Sequence, residues 1–370
     1  MKKKSMKKTA VIAAAAVLAF AATACGSSAS ETTAAGSAAE TSGAETSESK
    51  DAAASEDAGA EKSEKAAEGE AAKADGKTYK IGVLQFVQHN ALDLSNEGFV
   101  EALDESGIQY EIDQQNAAGE TATCTTIAQK FVNDGDDLIF AIATPAAQAA
   151  SAETADIPIV LTAVTDPADS GLVEDNEKPG ANVTGSSDLT PVAEQIKLLK
   201  QLLPDAKKVG VLYCSAESNS EIQAQLAHTA CEAEGLEAVD YTVSTSNDIQ
   251  TVVESMVGNV DAIYAPTDNV IAAGMPTVSM IASENKLPVI CGEQGMVDNG
   301  GLATYSIDYK ELGKLAGQMA VEILTEGKNP AEMPIEYYPT DKLQLVINDE
   351  AAEQLGIDVS AVKADGIAAE

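Results

Sequence analysis

The chain of 370 residues contains no arginine, no tryptophan and only two histidines. Without a guanidinium there is no bidentate fork for phosphate, sulfate or carboxylate, so an anion must be held by backbone N–H groups, hydroxyls or lysine. Aromatic residues make up only 4 %, which disfavours a sugar site built on stacking rings. The chain also lacks a Gly-x-Ser-x-Gly elbow, a Walker loop, a dinucleotide glycine fingerprint and a His-Glu-x-x-His pair. Nucleophilic catalysis would have to rest on His89 or His228, neither of which has an evident nucleophile, so the chain reads as a non-enzyme without a cofactor. Basic charge is scarce too: the net charge is −36 and the pI near 4.2, so nucleic acid is excluded as a partner.

The cysteines are few and scattered. Cys124, Cys214, Cys231 and Cys291 show no CxxC or Cys/His spacing, so no metal site is expected and they read as small buried hydrophobes. A disulfide among them stays open. Cys25 is different. Residues 1–25 read as a lipoprotein signal: Lys2, Lys3, Lys4, Lys7 and Lys8 precede an apolar core, Val11 to Ala22, too short for a membrane span. Ala22-Thr-Ala-Cys25-Gly26 matches a lipobox, with Cys25 the lipid attachment point. Residues 26–77 are small and polar with an acidic excess, and read as a disordered tether.

What the rest of the chain does have is an internal echo. Asp137-Leu-Ile-Phe-Ala-Ile-Ala-Thr144-Pro145 and Asp261-Ala-Ile-Tyr-Ala-Pro-Thr267-Asp268-Asn269 are apolar runs without alternation, each ending in a cap-like cluster before an apparent helix. Lys80-Ile-Gly-Val-Leu84 recurs as Lys208-Val-Gly-Val-Leu212, and Asp156-Ile-Pro-Ile-Val-Leu161 as Lys286-Leu-Pro-Val-Ile290, all about 125–130 residues apart and in order. Strands alternate with helical stretches throughout both halves. The fold class expected is α/β, with two similar doubly wound parallel-sheet lobes joined by a multi-stranded hinge. Lobe 1 is assigned residues 78–187 plus 304–330, and lobe 2 residues 188–303 plus 331–370.

These residues also carry a resemblance. Ile81-Gly-Val-Leu-Gln-Phe86 with His89-x-Ala-Leu-Asp93, Ala141-Ile-Ala-Thr-Pro-Ala-Ala-Gln148, Val164-Thr-Asp-Pro167, Asn182-Val-Thr-Gly-Ser-Ser-Asp-Leu189 and Pro266-Thr-Asp-Asn269 closely resemble ABC-transporter substrate-binding lipoproteins of the tryptophan-tyrosine-binding type. The resemblance runs from about Tyr79 to Gly356. It departs at Asn90, where proline is common, and at Cys214, where asparagine is common. It implies a type I periplasmic-binding-protein fold with three crossovers, a membrane permease as partner, and an aromatic amino acid or related small molecule as ligand. The chain is then expected to be a monomer, lipid-anchored on the extracytoplasmic face of the membrane. A chemosensory protein passing occupancy to a membrane receptor is the alternative.

Open α/β sheets bind ligands at the carboxyl ends of their strands, which singles out the candidate site. Helix starts favour anions, so Thr144, the N–H of Ala146 and Ser220 are candidates for a ligand carboxylate, or else plain caps. For an ammonium Asp268 is favoured, with Asn269, Glu217 and Asp166 as further candidates. Asp166 and Asp268 are expected to face one another across the lobes. Thr165 and Asn219 lie beside these groups. Gln85 and His89, following the first strand, are placed to meet a ligand side chain or hydroxyl.

Overall fold

The computed structural model describes residues 76–365. The signal and lipobox at 1–25, and all but the last two residues of the 26–77 tether, lie outside the described residues. In chain order the first half runs β1 (Thr78–Gln85), α1 (Asn90–Ser106), β2 (Gln109–Asn116), α2 (Thr121–Asp134), β3 (Leu138–Ile142), α3 (Thr144–Glu153), β4 (Ile159–Val164) and β5 (Val183–Ser187). The second half repeats the alternation. It comprises α4 (Val192–Leu202), β6 (Lys208–Cys214), α5 (Ser218–Ala233), β7 (Glu237–Val243), α6 (Ile249–Met256), β8 (Ala262–Ala265), α7 (Asn269–Ala273), α8 (Met275–Glu284) and β9 (Val289–Cys291). Then come α9 (Gln294–Asp298), β10 (Ala303–Ser306), α10 (Tyr309–Glu326), β11 (Glu336–Tyr337), β12 (Gln344–Ile347), α11 (Asp349–Leu355) and α12 (Ser360–Asp365).

Two six-stranded sheets result, ordered β2-β1-β3-β4-β5-β11 and β7-β6-β8-β9-β10-β12. All pairings are parallel except β10 with β12. In each sheet the chain winds outward in both directions from its first strand, so a topological switch point lies between β1 and β3, and another between β6 and β8.

The echo is structural as well as textual. Asp137 Oδ2 accepts the N–H of Lys80 at 2.9 Å, and Asp261 Oδ2 that of Lys208 at 2.9 Å. Ile139 N donates to Pro158 O and Ile263 N to Pro288 O. Gly82 and Gly210 are also equivalent: a Cβ on either would press into the helix behind, 2.5 Å from Phe131 and 2.4 Å from Met256. Both lobes therefore pack their second helix against a bare strand backbone.

The chain passes between the sheets three times: after β5, after β10, and between β11 and β12. Strand pairing corrects the lobe boundaries. β10 joins the second sheet, so 304–306 are not in lobe 1. The pair Glu336–Tyr337 joins β5 in the first sheet, so it is not in lobe 2. Helix α10 lies on β4 and β5 and packs tightly along α1. A Cβ on Gly98 or Gly313 would fall 1.9 Å from a carbonyl oxygen of the facing helix. The stretch 269–284 forms two helices, with the chain turning at Gly274, where a Cβ would meet Ile249 Cδ1 at 2.2 Å.

Candidate ligand-binding slot

The strand tips of the two sheets approach one another around a narrow space with a cavity volume of only about 10 Å³. From lobe 1 come His89 and Leu92, on the turn into α1, then Ala163 and Thr165 at the end of β4 and Tyr309 at the start of α10. From lobe 2 come Asn219 at the start of α5, Thr267 and Asp268 after β8, Asn269 and Ala272 on α7, and Glu293 before α9. Asp188, in the first crossover, completes the lining. The space is so tight that the lobes must part to admit anything larger than water.

Four carboxyls are buried here: Asp188, Glu217, Asp268 and Glu293 are 6, 3, 2 and 3 % exposed. No lysine lines the space. Burial pushes Glu293 up to about 7 and Asp188 up to about 6. Glu217 and Asp268 are raised by burial, and the charge of Asp268 adds to the shift at Glu217. Carboxyls this dense in a dry site favour bound protons or a cationic ligand group beside them.

The carboxyls are not equally free. Asp268 caps α7: its oxygens accept Ile271 N at 2.8 Å and Cys214 N at 2.6 Å. Glu293 caps α9 by accepting the N–H groups of Gly295 and Met296. Glu217 accepts Asn269 Nδ2 at 2.5 Å and Val270 N at 3.3 Å. Asp188 has the loosest set, taking Tyr309 OH at 3.0 Å and Thr165 Oγ1 at 3.4 Å. Its bonds are the longest of the four sets, so it gives up least in turning to a ligand.

Of the residues singled out in the sequence, His89, Thr165, Asn219, Asp268 and Asn269 line the slot. Glu217 stands behind Asn269, and Ser220 Oγ receives Asn219 Nδ2 at 3.2 Å. Asp166 does not face Asp268. Its Oδ1 instead accepts Ala168 N, Asp169 N and Asn176 Nδ2, closing a local turn. Gln85 is turned away as well, donating to Val87 O and Asp93 Oδ1 to hold the β1–α1 loop. Thr144 and Ala146 are buried at the start of α3 and do not line this space, although Thr144 Oγ1 has no hydrogen-bond partner among the described residues. The starts of α3 and α5 do meet across the lobes, where Gln148 Nε2 donates to Ser218 Oγ at 3.3 Å. α5 begins at Ser218, with Glu217 at its N-cap.

Sequence reasoning missed Asp188, Glu293 and Tyr309. Asp188 and Glu293 each follow the carboxyl end of a strand, β5 and β9, which is the signal that would have found them. Backbone strain marks the lobe 1 lip. Ala143 has φ 84° and Ala163 φ 54°, both in a region that favours glycine, and the register of β4 against β5 shifts at Ala163.

Twin parallel α/β lobes enclosing an acidic slot at their strand tips define a two-lobed solute-binding protein. The chain belongs to the ABC transporter substrate binding protein family, whose family model matches residues 80–363. It is 44 % identical over 306 residues to a tyrosine-binding protein of Clostridioides difficile (strain R20291), covering 81 % of this chain and 87 % of that one. It is 40 % identical to the ABC domain in complex with L-Trp from Streptococcus pneumonia, with a TM-score of 0.76 over 78 % of this chain and 99 % of that one. The ligand-free, open structure of a substrate binding protein with adhesive properties from Clostridium difficile is 44 % identical, over 76 % of this chain and 95 % of that one. Its TM-score is only 0.59. The more similar sequence superposes less well, so the lobes here stand in the closed arrangement, in keeping with the hydrogen bonds that join them. These relatives are solute-binding proteins and not enzymes, and proteins of this family are extracytoplasmic. Among the described residues no helix is long and apolar enough to cross a membrane.

Proposed function

We propose that the protein is the lipid-anchored binding component of an ABC importer, a monomer tethered through Cys25, that captures one amino acid between its lobes for a membrane permease. An aromatic amino acid is favoured, because the relatives include a tyrosine-binding protein and one in complex with L-Trp. The observation that carries the reading is the set of four buried carboxyls around a slot lined by no lysine, which suits a ligand ammonium. Asp188 takes that ammonium, with Glu293 beside it and Asp268 as background charge. A carboxylate would lie toward the facing starts of α3 and α5, near Thr144, Ala146 and Ser220. The ligand touches both lobes only when they are closed, and so draws the population to that state.

Calorimetry against the twenty amino acids tests this. A micromolar complex amounts to about −8 kcal/mol, and Asp188→Asn, which removes one charge-assisted bond, weakens it about 30- to 100-fold. Binding by Asp188→Asn as tight as by the parent would refute the ammonium assignment, and no binding of any amino acid would refute the ligand class. Acyl chains on Cys25, read by mass spectrometry of the membrane fraction, test the anchor.

A further inference from the structure

The two ring nitrogens of His89 are not equivalent, and the difference is dictated by the lobe 2 residues facing it. Glu217 accepts from Asn269 Nδ2 at 2.5 Å, and Asn269 Oδ1 is turned toward His89. That oxygen lies 3.2 Å from His89 Nε2. An amide oxygen only accepts, so Nε2 carries the hydrogen. In a neutral imidazole Nδ1 is then a bare acceptor. Burial keeps the ring neutral, lowering its pKa to about 4 against the milder opposing pulls of Asn269 and Asp93.

His89 Nδ1 is buried and has no hydrogen-bond partner among the described residues. His89 is the N-cap residue of α1, yet its side chain makes no capping bond, so helix capping does not account for its presence. It shares the slot wall with the apolar Leu92, Ala163 and Ala272, the surroundings of a ring. A ligand ammonium is drawn past this neutral nitrogen to Asp188 and Glu293. What remains for Nδ1 is a donor at the far end of the ligand.

We infer that His89 Nδ1 is a specificity-determining acceptor for an O–H or N–H on the ligand's ring, so that the slot selects amino acids bearing a phenol or an indole over phenylalanine. This rests on the amino-acid reading above. With phenylalanine closed inside, the acceptor is left buried and unpaired, a discrimination of about 10- to 100-fold.

The test has two arms. Calorimetry with tyrosine, tryptophan and phenylalanine is expected to show one of the first two binding about 10- to 100-fold tighter than phenylalanine, with the ratio collapsing toward one in His89→Leu. Nitrogen-15 NMR of the histidine rings reads the tautomer in the unaltered slot. The chain has two histidines, and His228, exposed against Asp240 at 2.7 Å, is assigned by His228→Gln. The expected spectrum has a protonated Nε2 and a bare Nδ1 whose signal moves on adding whichever of tyrosine and tryptophan binds tighter. Phenylalanine bound as tightly as both other ligands, or a protonated Nδ1 in the closed complex, would overturn the His89 assignment alone. If none of the three binds, it falls together with the ligand class. Should His89→Leu not fold, the parent's ratios and spectrum decide.

Discussion

One of the hydrogen-bonded ties that join the closed lobes can be weighed separately from ligand contacts. Gln223, on α5 in lobe 2, is fully buried and donates from Nε2 to Thr165 Oγ1 of lobe 1 at 3.2 Å. Its other bonds stay within lobe 2: Nε2 to Thr267 O at 2.8 Å, and Oε1 from Thr267 Oγ1 at 2.7 Å. Thr165 Oγ1 then donates to Asp188, and Tyr309 to the same carboxyl. Thr165→Val keeps the side-chain shape and removes the tie. A neutral buried hydrogen bond contributes about 0.5–1.5 kcal/mol net, so closure weakens by about 1 kcal/mol and every ligand loses about fivefold in affinity. Thr165 also lines the slot, so Gln223→Met, which does not, serves as the companion. A double-mutant cycle on the binding free energy isolates the pair. The expected coupling is about 1 kcal/mol, the same for each ligand, with the loss appearing in the dissociation rate. Strictly additive losses, or a coupling that changes with the ligand, would refute the idea that Gln223 acts through closure.

Gly295, at the start of α9, faces Asn90 at the start of α1 across the slot mouth, where an added Cβ would lie 2.9 Å from Asn90 Cβ. Gly295→Val should hold the lobes apart, lowering affinity at least about tenfold while leaving thermal unfolding of the ligand-free protein nearly unchanged; unaltered affinity would contradict the contact. Closure should also weaken as pH rises from about 6.5 to about 8. Glu293, about 7 when closed against an ordinary 4.5, keeps a proton in the closed form that the open form has already released. His89 opposes this only at lower pH, because its neutral form is favoured by closure and its ordinary pKa is 6.5. Scattering from the ligand-free protein across that window should show the open fraction growing with pH, and a shrinking fraction would reverse the assignment.

Much of the fold was legible because it is local and repeated. Buried strands such as Leu138–Ile142 announce themselves as unbroken apolar runs, and the Asp137/Asp261 pair recurs because each ties the neighbouring strand of its sheet by the same bond. A multi-stranded hinge was expected, but the sheet to which each of its short strands belongs was not legible. Strand β11 is two residues long and β10 and β12 four each, too short for any periodicity to assign to a sheet. Among the candidate site residues, several immediately after a recognised strand line the slot, including Asp268 and Thr165. Asp188 and Glu293 escaped because their position in the slot depends on the crossover and on the short helix α9. Asp166 and Gln85 were misread for the opposite reason: their polar groups are satisfied by neighbours a few residues away, and a sequence position at a strand tip cannot distinguish that from a ligand contact.

The central claim is that two lobes shut on a solute at their strand tips. Small-angle scattering of the soluble lobes, taken with and without saturating L-tyrosine or L-tryptophan, tests it most directly. A radius of gyration that falls on adding one of them, and fails to fall for Asp188→Asn at the same ligand concentration, is the predicted result. An unchanged profile under calorimetrically verified binding would contradict it.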